Sequence, residues 1–427
     1  MWVVKRAISL LVIATIALFG LVTRGESVQR VRAQAPDGLY VPIKPQRIFD
    51  SRQSGDLVAI SSDGSFRELD LLAELELDGF VKDSIIGVFA NITVLDATVS
   101  GHVTVNPSIQ NRPNSSVVNF AVDDITSNSF FIATPRGSLT RLTLVSDSGN
   151  SGIANVIIDI AGVVTSDLAT NNATRLVGIV PTRVFDSRRE SVVSPKSMTR
   201  VDFTSNENGV SAVAINITVN NQRSQSEDTF IGLMTDGSAA WPNTSLINVD
   251  KRETKSNFAI VPVDANGVAT FFNSEGHTNL IIDQVGYFTT NQTATTTSGR
   301  IVLLDAPFRV LDSRPNSLEA GQQVTWDFQP FVQSLGQSRN GLENARAFFG
   351  NFTAVNVRRR LPGLRVEDFI TIFPSGTARP DTSNITVSDG QTLANSGLFT
   401  VSNSGLDIYN DDGIIDYLLD ISAVVTG

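Results

Sequence analysis

The 427-residue chain has no cysteine and only two histidines, His102 and His277. The first absence excludes disulfide staples and thiolate metal sites together. The second leaves Ser/His/Asp catalysis with two candidates, and they occupy different landmarks: His102 opens a strand-like segment and His277 lies in a turn before another. Both read as surface or turn residues. There is no phosphate-binding glycine loop, no HExxH and no Cys/His cluster. Beyond residue 22 no segment approaches the ~20 apolar residues of a membrane helix. No cofactor is expected, and stability has to come from burial and hydrogen bonding.

Positive charge is also scarce, with 33 Lys and Arg against 43 Asp and Glu and a net charge of -10. Such a body repels phosphate backbones and anionic lipid, so nucleic acid is not an expected partner. The amino terminus is the exception. Lys5 and Arg6 precede an apolar run from Ala7 to Val22, the order of an export signal, and Ala33-Gln34-Ala35 offers a small-x-small cleavage site. Pro36 and the basic stretch from Arg24 to Arg32 leave an uncleaved anchor open, with membrane contact through residues 7–22 only. Residues 1–35 are therefore expected to be a signal peptide or anchor, and the rest to be extracellular. Export without cysteine points to a bacterial source.

What is present is repetition. PQRIFDSR at 45–52 returns as PTRVFDSR at 181–188 and PFRVLDSR at 307–314. Five further landmarks follow each octet in the same order. They are a hydrophobic-Asp-hydrophobic trio, an apolar stretch holding Asn-x-Thr, an alternating segment, a proline-led stretch (RPNSSVVNF, WPNTSLINV, RPDTSNITV) with an Asn some 14 residues beyond, and a closing aliphatic strand with an embedded Asp. Nearly all of this reads as short strands bounded by turn residues. The expectation is all-β: three tandem antiparallel β-sandwiches of jelly-roll type at 36–165, 176–289 and 301–427, joined in a row by polar linkers. Residues 66–79 fit a helical stripe as well as a strand, and the first and third copies hold an insertion in which a short helix could form.

The octet places charge on both faces of a strand, because Asp50 and Arg52 alternate with Arg47. The charges must be paired, or the strand must bulge or end there. Asp159, Asp283 and Asp420 likewise interrupt aliphatic runs that read as buried, and an arginine fork is their natural partner. One buried structural network is expected in each domain: Arg47, Asp50, Arg52, Asn91 and Asp159; Arg183, Asp186, Arg188, Asn216 and Asp283; Arg309, Asp312, Arg314, Asn351 and Asp420. It would pin the first strand to the last.

Other constellations have plainer readings. SDSGNSG at 146–152 reads as a hairpin turn. DIYNDDGIID at 407–416 is dense in oxygen ligands and a candidate for calcium, without the EF-hand ligand pattern. Asn91, Asn216 and Asn351 sit in Asn-x-Thr sequons yet lie in apparently buried strands, which suits structural asparagines. Taken together, Arg-h-h-Asp-Ser-Arg, Asn-Ile-Thr, Arg-Pro-Asn-Ser-Ser and a closing Ile-Ile-Asp-x-x-Gly-Tyr-Phe resemble a repeat of secreted and cell-surface proteins of bacteria, notably actinobacteria. The resemblance spans residues 40–427 and implies location and a non-catalytic surface role. All three copies have Ser where that repeat usually has Thr in the opening motif, and only the second ends Gly-Tyr-Phe.

The function expected is that of a non-catalytic extracellular structural or adhesion protein of a bacterial envelope, with envelope or extracellular glycan or protein, or further copies of itself, as partners. A multivalent carbohydrate-binding array, with Trp241 and Trp326 as candidate aromatics, is the alternative, and a secreted glycan hydrolase the third.

Overall fold

The computed structural model describes residues 37–427 apart from 77–81, 136–138, 169, 171, 204–208, 223–226, 235–240, 291–297, 339–341 and 359–366. The expected leader lies outside the described residues. Among those described, no helix is long and apolar enough to cross a membrane.

Strands dominate all three copies. The first contains β1 (Leu39–Asp50), β2 (Val58–Ser61), β3 (Arg67–Leu69), β4 (Ile85–Leu95), β5 (Gly101–Pro107), β6 (Val118–Phe120), β7 (Thr126–Ala133), β8 (Thr140–Ser146) and β9 (Gly152–Thr165). The second contains β10 (Arg175–Asp186), β11 (Ser197–Asp202), β12 (Val210–Asn220), β13 (Thr229–Met234), β14 (Ile247–Val249), β15 (Thr254–Pro262), β16 (Val268–Asn273) and β17 (Asn279–Thr289). The third contains β18 (Ile301–Asp312), β19 (Leu318–Glu319), β20 (Gln323–Trp326), β21 (Ala347–Arg358), β22 (Glu367–Pro374), β23 (Ile385–Ser388), β24 (Leu393–Thr400), β25 (Leu406–Asn410) and β26 (Ile414–Val425). A single helical turn, α1 (Ser51–Ser54), follows β1, and α2 (Gln329–Ser338) occupies the insertion of the third copy.

In the second copy the two sheets run β10-β17-β12-β15 and β11-β16-β13-β14. Counted within the copy this is 1-8-3-6 over 2-7-4-5, the strand order of an eight-stranded jelly roll. The third copy repeats it as β18-β26-β21-β24 and β20-β25-β22-β23, with β19 added to β26. In the first, β1-β9-β4-β7 and β3-β8-β5-β6 are joined by β2, which pairs antiparallel with β9 and parallel with β8. The segment 66–79, open between helix and strand, is strand and turn in its described part: Arg67–Leu69 pairs with β8 and a turn follows Asp70, while 77–79 lie outside the described residues. Cross-strand pairing outweighs a stripe too short to nucleate a helix on its own. In the third copy α2 does form, and it buries Phe331, Val332 and Leu335 in the sandwich.

Each sandwich has its own core, but a fourth apolar cluster belongs to all three domains. It gathers Phe89 and Phe131 from the first, Phe258 and Phe288 from the second, and Phe349 and Leu398 from the third. Phe131 and Phe349 lie 4.3 Å apart between ring centroids, Phe89 and Phe258 5.8 Å, and Phe258 and Phe349 6.0 Å. The expected row of domains is therefore corrected: they close on one another around a shared axis.

The segments ahead of the first strands meet at the same axis. Gly38 pairs with Ile301, Tyr40 with Thr174, and the Leu176 amide donates to the Gly299 carbonyl. A sheet that faces its own core on one side and the axis on the other is buried on both faces. That is why β4, β12 and β21 read as unbroken apolar runs rather than alternating ones. The middle domain expressed alone would expose Ala212, Ala214, Phe258, Ile260 and Phe288 in one patch. We expect residues 175–289 to self-associate or aggregate, and light scattering after gel filtration would show whether they do.

Candidate functional site

The octet begins as a strand and ends as a turn. In all three copies the register against the last strand slips between the arginine and the aromatic or aliphatic residue two positions on, so a bulge lets both charged faces find partners. Arg47 Nε and Nη2 donate to the two carboxylate oxygens of Asp159 at 2.9 and 3.2 Å. Arg183 holds Asp283 at 2.8 and 3.2 Å, and Arg309 holds Asp420 at 2.9 and 2.8 Å. These aspartates are almost fully buried. Burial pushes their carboxyls above the ordinary range, and the arginine fork opposes the rise.

The second half of the octet works locally. Asp50, Asp186 and Asp312 each accept the backbone N–H two residues on at 3.1 Å, together with a bidentate grip from the side chain of Arg52, Arg188 or Arg314. Those hydrogen bonds hold the three carboxyls below their usual range. The serine between them, which sequence reasoning passed over, is the pin to the last strand. The amides of Val156, Leu280 and Tyr417 donate to the hydroxyls of Ser51, Ser187 and Ser313 at 2.9, 2.9 and 2.8 Å.

The network is corrected at its third member. Asn91, Asn216 and Asn351 lie in register beside Asp159, Asp283 and Asp420, but their side chains reach the next domain. The Asn91 amide donates to the carbonyl of Ser245, that of Asn216 to Ser383, and that of Asn351 to Ser116, which completes a circle. Their own oxygens accept from the late asparagines: Asn257 to Asn91 at 3.1 Å, Asn395 to Asn216 at 2.8 Å and Asn128 to Asn351 at 2.8 Å. The late asparagine was legible as a landmark; its partner was not, because the contact crosses between copies. Asn257 is fully buried and also donates to the Leu246 carbonyl. Asn257→Ala should therefore cost about 1–3 kcal/mol, with the Leu246 carbonyl losing its side-chain donor and the Asn91 oxygen left only the Ser129 hydroxyl at 3.4 Å, measurable by urea unfolding.

One interface carries a different fastening. Lys255 Nζ, nearly buried, lies 2.7 Å from Asp124 of the first domain, 2.9 Å from Glu253, 3.4 Å from Asp250 and 2.9 Å from the Ile125 carbonyl. The three carboxylates are spaced as metal ligands would be, but the ammonium already stands among them. Burial pushes Asp250 up to about 6, against the pull of Lys255.

The acids of 407–416 diverge. Asp407 accepts from Gln323 and Thr325, Asp416 from Ser317 and Asn356, and Asp411 from the Tyr409 hydroxyl. SDSGNSG is the turn between β8 and β9, and His102 meets Asp147 at 3.3 Å. Trp241 is 53% exposed against Phe272, whereas Trp326 packs on Phe328 and Phe348.

Two of the proline-led stretches, at 112 and 379, lie across the octets of the preceding domain and leave grooves between domains. One of about 270 Å³ between the second and third is lined by Arg183, Arg188 and Asp381. One of about 380 Å³ between the third and first is lined by Arg309, Arg314, Arg112 and Asn114.

Neither a protein-family model nor a curated protein sequence matches the chain. Solved structures similar to it come from an archaeal virus described by its triple jelly roll fold and turret assembly, and from Sulfolobus turreted icosahedral virus. The first is 10% identical over 93% of this chain and 98% of that one, with a TM-score of 0.17. The second is 10% identical over 92% and 99%, with a TM-score of 0.18. The jelly-roll assignment of each domain rests on the strand order above, and the chain as a whole is an all-β protein of three such domains closed in a ring.

Proposed function

We propose that this is a non-catalytic structural or adhesion protein of a bacterial cell envelope, displayed outside the cell as one three-domain block. The observation that supports it is the use of the thrice-repeated charges. Each octet carboxylate is held by an octet arginine, and each octet arginine that crosses the sheet is spent on a buried aspartate of its own sandwich. Groups so engaged are poorly placed to move protons for a substrate. An array of three equal lectin sites has less support, because the exposed Trp241 stands where the other copies have Arg112 and Arg379.

Protease shaving and antibody labelling of intact producing cells test the location, with surface labelling expected. A chain confined to the cytoplasm would overturn the reading. So would a glycan-cleaving activity that Asp159→Asn or Asp283→Asn abolishes without changing the melting temperature.

A further inference from the structure

The two grooves are built from equivalent positions, yet they do not carry the same charge. In the groove between the second and third domains, Asp381 of the RPDTS stretch sits 3.0 Å from Arg189 Nη2 and 3.8 Å from Arg183 Nη1. The protein thereby places a carboxylate of its own against the octet arginine. In the groove between the third and first domains, the position of Asp381 is held by Asn114 and that of Arg189 by Pro315. There Arg309 is engaged with Asp420 through Nε and Nη2, and among the described residues its Nη1 has no carboxylate within ion-pair distance. The corresponding atom lies 3.5 Å from Asp50 in the first domain and 3.7 Å from Asp186 in the second.

Arg112 adds a second unspent cation. It is exposed and takes part in no ion pair among the described residues, while its counterpart Arg379 lies over the Tyr409 ring at 3.7 Å. The acids near this groove are already committed: Asp420 to Arg309, Asp312 to Arg314 and Asp147 to His102. At about 380 Å³ it is the roomier of the two grooves, within the usual size range of ligand sites, roughly 300–1,000 Å³.

We propose that the groove between the third and first domains binds a carboxylate-bearing saccharide, a uronic acid unit, with its carboxylate between Arg112 and Arg309 Nη1 where Asp381 stands in the neighbouring groove. Arginine suits a carboxylate because its planar donors match both oxygens. Of the remaining lining, the partly exposed Asn119 offers its side-chain amide nitrogen to a sugar hydroxyl. The choice of a saccharide over another carboxylate rests on the extracellular reading above; the charge asymmetry of the groove does not.

The test is calorimetric titration of the full-length protein at low salt with digalacturonic acid, neutral galactobiose and triglutamate in parallel. Digalacturonic acid should bind saturably at a single site and galactobiose far more weakly. Arg112→Ala should weaken binding by about tenfold or more, the loss of one charge-assisted contact. Asn114→Asp, which copies Asp381, should abolish it. Both residues are exposed, so neither change should shift the melting temperature. The proposal is overturned by absence of saturable digalacturonate binding, by equal binding of galactobiose, by tighter binding of triglutamate, or by insensitivity to Asn114→Asp. None of these outcomes depends on where the protein resides, so failure of the site and failure of the envelope reading are separable.

Discussion

Arg183→Met should destabilise the protein by about 3–5 kcal/mol, the usual cost of leaving one member of a buried pair alone. The reason lies in Asp283, whose side chain is 1% exposed. Two of its hydrogen bonds come from Arg183, and the third comes from the Ser383 amide of the next domain at 3.2 Å. Without the guanidinium, an aspartate already raised by burial would have to take up a proton or remain charged in an apolar sheet. The double variant Arg183→Met/Asp283→Leu should recover most of the loss, because replacing both partners removes the orphaned charge. Arg189→Met, which breaks an exposed pair with Asp381 and a 3.7 Å contact to Asp186 that Arg188 still holds, should cost less than about 1 kcal/mol. Urea unfolding of the four proteins checks the ordering. A double variant as unstable as the single one would mean that the pair adds net stability beyond neutralising itself.

Asp368→Thr should stabilise the protein at pH 8 and leave it nearly unchanged at pH 4. Asp368 is fully buried at the start of β22, where the second domain has Thr229 at the start of β13. In the second domain the Thr229 hydroxyl donates to Asn273 Oδ1 at 2.7 Å and accepts the Glu275 amide at 3.2 Å. In the third, Asp368 Oδ1 accepts the equivalent amide of Asp412 at 2.7 Å, while Asp368 Oδ2 and the oxygen of Asn410, the counterpart of Asn273, are both buried without a donor among the described residues. A proton on Asp368 Oδ2 restores the donor that the threonine provides.

Burial pushes this carboxyl up to about 7, with Asp411 and Asp412 adding to the rise and backbone donors opposing it. The folded state thus binds a proton that the unfolded chain, titrating near pH 4, has released. The stability it contributes is present in full below about pH 4 and is lost as pH climbs to about 7. At about 1.4 kcal/mol per pH unit over roughly three units, the native chain should lose about 4 kcal/mol relative to Asp368→Thr between pH 4 and 8. Unfolding curves of both proteins across that range, compared as a difference, read this directly. Parallel curves would place the proton elsewhere.

How much of this was legible depends on where each partner sits. The pairing of Arg47, Arg183 and Arg309 with Asp159, Asp283 and Asp420 follows from the strands themselves, since a buried carboxylate calls for a fork of donors and each copy contains one. The serine pins were missed because a hydroxyl that accepts one amide leaves no charge or periodicity to notice. The asparagines were assigned to the wrong partner. An amide beside an aspartate on adjacent strands looks like one network, and only the close approach of a second domain turns it outward.

The sequence by itself determined that the chain is three copies of one all-β unit and that each copy pairs an octet arginine with the buried aspartate of its own last strand. Those properties depend on alternation, turn residues and desolvation along a few neighbouring residues. The tertiary structure alone decided that the copies close into a ring, that the unbroken apolar strands are covered on their second face by one another, and that two equivalent grooves carry different charge. Burial of a second face depends on which surface arrives opposite it, and that surface is supplied by another copy of the repeat.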